Sequence, residues 1–199
     1  MSSPGRFTRG LLPLLVVLSM TITFPMQGET SPIPARVQML LFSKIWMFDR
    51  SVSAKDEIVM AVLYQSTFRS SAEAKAELID AVHAEGLKVR CVPVALDDLD
   101  SVDSELRDVQ ADVFYVTEMR GIDIGEVVRV SRARRIKTIT VSGKYLEAGI
   151  AIGLRVRSDK PVIVVNLTAA RAEGSDLTGQ LLKVATIIGE RSGMAARSW

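Results

Sequence analysis

Residues 161–188 read PVIVVNLTAARAEGSDLTGQLLKVATII. A β-branched run, Val162 to Val165, stops at Asn166 and Leu167. A small-residue segment follows, and an amphipathic run then extends from Asp176 to Ile188. Continuous apolar runs suit strands covered on both faces, and a 3.6-residue period suits helices. The stretch therefore predicts a buried strand feeding a terminal helix, on which everything upstream has to pack.

Just before it, Gly149–Arg157 and Val162–Leu167 read as a hairpin joined by Ser158-Asp159-Lys160-Pro161. Further back, Ile136–Val141, Asp112–Val116 and Glu57–Tyr64 are apolar runs of strand length. Leu87–Val94 alternates more and contains Pro93, which cannot donate to a ladder, so it is expected at a sheet edge. Helical patterns separate these strands. Ser70 and Glu73 form a capping box ahead of a stripe of Ala74, Leu78, Ala81 and Val82, with Gly86 suited to the helix end. Ile124, Val127 and Val128 line a second helix. The acidic stretch Asp97–Asp108 reads as a solvated helix start, since it lacks the glycine and closing glutamate of a calcium loop. Alternation of strand and helix predicts an α/β fold: a single three-layer domain, a mostly parallel sheet of about five strands with a C-terminal β-hairpin and helix, and helices on both faces.

A chain of 199 residues suits one such domain. Its formal charge is +2, but Arg6 and Arg9 are the only charged residues before Glu29, and without them each sign numbers 23. A neutral body lacks the concentrated positive surface of a nucleic-acid binder. Arg6 and Arg9 followed by the apolar run Leu11–Phe24 resemble a secretory signal peptide over residues 1–28, with an uncleaved inner-membrane anchor as the alternative. Residues 29–35 read as a leader, 36–190 as the α/β domain and 191–199 as a flexible tail.

Arg36–Phe48, RVQMLLFSKIWMF, is helical in period and apolar nearly all round. Such a helix is either central to the core or covered by a partner. Leu41, Phe42, Trp46 and Phe48 are the candidate partner-binding residues.

Reactive groups do not converge anywhere in the sequence. His83, the sole histidine, sits inside a helix with no acid or nucleophile patterned around it, and a metal site needs companions the chain lacks. Cys91 is the only cysteine, which forbids an intrachain disulfide, and it shares strand parity with Leu87 and Val89 as a small core residue. Gly143-Lys144 lacks the upstream glycine of a phosphate loop, and no GxGxxG occurs. Asn166-Leu167-Thr168 is a glycosylation sequon placed at the end of a buried strand. Arg129, Arg132, Arg134, Arg135 and Lys137 cluster toward a helix C-terminus, where the dipole favours cations; the other reading is a patch for an acidic partner. Ligands of open α/β sheets gather beyond the carboxyl ends of the strands. The candidate ligand-binding residues there are Gln65, Ser66, Thr67, Thr117, Glu118, Ser142 and Gly143. No catalytic residue, metal ligand or cofactor is indicated.

Three parts of the chain, in order, resemble the YfiR family of small bacterial periplasmic proteins: the aromatic-rich LLFSKIWMF, the Ala148-Gly149-Ile150 element, and the tail NLTAARAEGSDLTGQLLKVA with Asn166, Leu167, Ala170, Leu181, Leu182, Lys183 and Ala185. The resemblance spans Val37 to about Ile188. It implies a non-catalytic regulator that dimerises and holds the periplasmic part of an inner-membrane diguanylate cyclase inactive, thereby controlling cyclic-di-GMP. The chain departs from the pattern in two places. Family members often carry several cysteines tied to redox control, whereas Cys91 stands alone, and the glycine pair of the hairpin is reduced to Gly149. The middle of the chain, VLYQSTFRSSAEAKAEL, ADVFYVT and PVIVVNLTAARAEG, is also similar to one lobe of a transporter-type periplasmic binding protein. That similarity implies the alternative function, a one-lobed binder of a small ligand.

Overall fold

The computed structural model describes residues 33–98 and 102–189. The expected signal peptide, most of the expected leader and the expected tail fall outside them. The elements run α1 (Ala35–Met47), β1 (Ile58–Tyr64), α2 (Arg69–Ala84), β2 (Val89–Ala95), α3 (Val102–Arg107), β3 (Val113–Val116), α4 (Ile124–Arg134), β4 (Lys137–Thr140), α5 (Gly143–Ala148), β5 (Ile152–Arg157), β6 (Lys160–Asn166), α6 (Leu167–Ala172), α7 (Gly179–Val184) and β7 (Thr186–Ile188). One sheet takes the order β2-β1-β3-β4-β5-β6-β7. β2 through β5 are mutually parallel, β6 returns antiparallel to β5, and β7 runs parallel to β6.

Side-chain alternation along the central strands builds two cores. Met60, Val62, Val113 and Tyr115 face one side, where Met39, Phe42, Ile45 and Trp46 of α1, Leu78 and Val82 of α2 and Leu181 of α7 cover them. Ala61, Leu63, Phe114 and Val116 face the other, under Leu106 of α3 and Val127 and Val130 of α4. Strands apolar on both faces are stable only between two helical layers, which yields the α/β/α sandwich. β2 lies at the edge, as Pro93 requires.

The structure corrects the sequence reading at several elements. The sheet has seven strands, not about five. Asp176–Ile188 is not one helix: α7 ends at Val184, Ala185 is extended, and Thr186–Ile188 pairs with Val164–Asn166. The β-branched residues there satisfy the otherwise open edge of β6. The small-residue segment is itself helical, because the Asn166 side chain accepts from the Ala169 N–H at 3.1 Å and caps α6. Gly143, expected in the region beyond a strand's carboxyl end, is the first residue of a helix the sequence reading did not include, α5. The capping box does not form. Phe68 is the N-cap of α2 without a side-chain cap, and Glu73 bonds Arg69 instead, at 2.6 Å. The hairpin turn is only Ser158 and Asp159, with φ of 49° and 58°, the left-handed pair of a two-residue hairpin; Pro161 is already in β6, opposite Val156. Gly149 lies outside this hairpin and ends α5 at φ 115°.

Candidate functional site

The parallel strands β1, β3 and β4 deliver their carboxyl ends to one side of the molecule, beneath the start of α1. β3 continues into Thr117, whose hydroxyl is buried and donates to the Leu63 carbonyl at 2.9 Å. Ser71 on the first turns of α2 lies 2.7 Å from that hydroxyl and accepts from the Gln65 N–H at 2.9 Å. The two loops after β1 and β3 are thereby held in fixed positions.

Beside this anchor is a cavity of about 470 Å³, lined by Thr117, Glu118, Ser142 and Gly143 and by groups from α1 and α2. Four of the expected ligand-binding residues thus converge. The other three do not. The Gln65 side chain staples its loop to the next, donating to the Arg120 carbonyl at 3.2 Å and accepting from the Arg120 N–H at 2.9 Å. Ser66 and Thr67 turn toward Asp97, which accepts from the Ser66 N–H and hydroxyl, both at 2.6 Å, and from the Thr67 N–H. These bonds hold the Asp97 carboxyl below its usual range.

Sequence reasoning missed the cavity's floor. Tyr115 donates to Gln38 Oε1 at 2.6 Å, and Gln38 Nε2 donates to the Ile33 carbonyl at 2.6 Å, so the first turn of α1 is tied to the central sheet. Gln38, Glu77 and Tyr115 are far apart in sequence and meet only because α1 packs across the sheet, where Phe42 and Tyr115 sit edge to face at 6.0 Å. A polar residue inside an apolar helical stripe was the available signal, and Gln38 is that residue.

The candidate partner-binding residues divide. Phe42 and Trp46 are buried within the chain's own core, and Leu41 is half-buried against it. Phe48 and its neighbour Met47 are the exposed ones, Met47 at 74%. The sheet supplies the cover that the sequence left open.

Groups with chemical potential are structural in their placement. His83 is exposed on α2. Cys91 is half-buried against the first core, and burial raises its thiol pKa. Among the described residues no cluster could hold a metal ion. The basic cluster serves the chain itself. Arg129 bonds Asp103 and Glu126, and Arg134 donates to the carbonyls of Leu106, in the last turn of α3, and Val109, just after it.

Glu173 went unnoticed in the sequence. It is fully buried and accepts from the Thr138 N–H at 2.8 Å and the Thr138 hydroxyl at 2.6 Å. Burial pushes its carboxyl up to about 7, against the opposing pull of Thr138, Ser131 and Arg132. It joins α6 to α4 and β4 and stands apart from the cavity's lining residues.

The family model described as DUF4154, YfiR/HmsC-like, matches residues 46–186. The chain belongs to this family. The YfiR/HmsC-like proteins are periplasmic and regulatory in kind. The match opens at Trp46, so the earlier turns of α1 precede it. No curated protein matches the chain in sequence. Solved structures share its fold. An ABC domain in complex with L-Trp from Streptococcus pneumonia aligns at TM-score 0.58 and 15% identity, over 78% of this chain and 60% of that one. A conserved domain protein from Vibrio cholerae aligns at 0.60 and 14%, over 77% and 60%. A substrate binding protein with adhesive properties from Clostridium difficile, ligand-free and open, aligns at 0.62 and 13%, over 78% and 60%. The YfiR/HmsC-like chain therefore spans about 60% of the length of these structures, and at such identities the likeness is one of fold. Among the described residues no helix is long and apolar enough to cross a membrane.

Proposed function

We propose that the chain is a periplasmic regulator that acts by protein contact, repressing or modulating an inner-membrane signalling protein such as a diguanylate cyclase. Family membership is the observation that carries this reading. The scattered placement of His83, Cys91 and Glu173 supports a role without turnover, since acid–base and nucleophilic catalysis need groups within hydrogen-bond reach of one another. Export through a signal at residues 1–28 belongs to the same reading. N-terminal sequencing of periplasmic protein tests it: retention of Leu11–Phe24 contradicts cleavage. The contact surface is the exposed end of α1, Met47 and Phe48, with Leu41 at its margin. Co-expression with a membrane diguanylate cyclase should lower cellular cyclic-di-GMP, and Met47→Asp with Phe48→Asp should restore it while the protein stays folded. Unchanged cyclic-di-GMP in all strains contradicts the reading. A homodimer is part of it, tested by sedimentation.

A second reading, a one-lobed binder of a small ligand, is favoured by the cavity at the strand carboxyl ends. The described similarity to a substrate binding protein supports it at the level of fold.

A further inference from the structure

Small-molecule sites enclose roughly 300–1,000 Å³ and combine apolar walls with a few placed polar groups. The cavity of about 470 Å³ has that make-up. Its floor is Gln38, 5% exposed, which spends one amide N–H on the Ile33 carbonyl and one carbonyl lone pair on Tyr115. An amide carries two N–H donors and two lone pairs. Both polar atoms of Gln38 thus have a partner within the chain, and each keeps room for one further hydrogen bond. Ala74, Leu78 and Val141 supply an apolar wall.

Charge at the rim is one-sided. Glu73, Glu77 and Glu118 line the cavity, and no basic side chain does. Glu73 pairs with Arg69 and Glu118 with Lys144, both cations standing outside the lining, while Glu77 has no ion pair among the described residues. The first turn of α2 adds about half a positive charge nearby. Three carboxylates against two cations and that half-charge leave the rim slightly negative, and an entering anion meets carboxylates first.

We propose that this cavity binds a small amine with an apolar body: the ammonium at Glu77 and Glu118, the body on Leu78 and Val141, and a hydrogen-bonding group on Gln38. The inference rests on the small-ligand reading and adds the ligand's class. Its α1 wall, from Ile33 to Gln38, precedes the stretch that matches the family model.

Isothermal titration of the folded protein with cyclohexylamine, cyclohexanol and cyclohexanecarboxylate tests it, because the three share a body and differ in charge. The amine should bind about tenfold more tightly than the carboxylate. Glu77→Gln should weaken amine binding about fivefold without moving the melting temperature, and Ala74→Trp should abolish it by filling the cavity. Val141→Phe fills the same space should the first variant fail to fold. Binding of the carboxylate or the alcohol as tightly as the amine, and sensitive to the filling variant, overturns the ligand class and leaves the cavity as a site. Binding indifferent to both filling variants, or none by any of the three, overturns the class and the small-ligand reading together.

Discussion

Glu173 sits among α6, α4 and β4 with a carboxyl that water does not reach. The Thr138 hydroxyl accepts from the Ala151 N–H at 2.9 Å, so its proton is available for Glu173. The Ser131 hydroxyl donates to the Val128 carbonyl at 2.9 Å and lies 3.3 Å from Glu173 Oε1. A protonated Glu173 can donate to that serine oxygen; an ionised one has to compete for its only proton. The folded state thus binds a proton more tightly than the unfolded chain, with a pKa near 7 against an ordinary 4.5. The stabilisation is complete below pH 4.5 and is lost as pH rises toward 7, an effect of roughly 3 kcal/mol. Melting temperatures from pH 4.5 to 8 should fall in the native protein, and Glu173→Gln should flatten the fall; equal slopes contradict the assignment. Gly153 is a steric case. A Cβ there would lie 2.8 Å from a Leu146 methyl and 2.9 Å from the Thr140 carbonyl oxygen. Gly153→Ala should cost about 1–3 kcal/mol in denaturant unfolding, as overpacked sites do. Neither residue was legible in the sequence. Glu173 follows Arg171 and Ala172 in an exposed-looking segment, and Gly153 lies in an ordinary strand pattern; both roles depend on partners distant in the chain.

Among the elements, α1 shows where periodicity stops informing. Its apolar residues surround the axis, so the sequence leaves core and docking surface undivided. Packing divides them, with Phe42 and Trp46 inward and Met47 and Phe48 outward. Phe42→Ala should therefore cost about 3–5 kcal/mol of stability. Met47→Asp should change it by no more than about 0.5 kcal/mol, the range of ordinary surface substitutions. Chemical denaturation of the two variants checks this, and comparable losses contradict the division. The terminal segment teaches the converse. Of the helical spacing over Asp176–Ile188 only Gly179–Val184 forms a helix, and the bare edge of β6 recruits Thr186–Ile188 as β7. A clasp at the other end fixes that segment, where the buried Asp49 accepts from the Asp176 N–H at 3.0 Å and Thr178 donates its N–H to the Phe48 carbonyl at 2.9 Å.

For the molecule as a whole, alternating strand and helix patterns were enough to reach a three-layer α/β domain, since that alternation has few stable solutions. Half of the cavity was also legible, because the carboxyl ends of parallel strands are where such sheets place their sites. Its floor was not, being made by α1 crossing the sheet. Family membership and the scattered placement of His83, Cys91 and Glu173 are what the proposed regulation by contact rests on. The direct test is cyclase output in inner-membrane vesicles carrying a diguanylate cyclase with an intact periplasmic region, with the purified protein added on the periplasmic side. Cyclic-di-GMP synthesis should fall severalfold with the native protein and remain high with the Met47→Asp, Phe48→Asp variant; synthesis unaffected by saturating native protein would contradict regulation by contact.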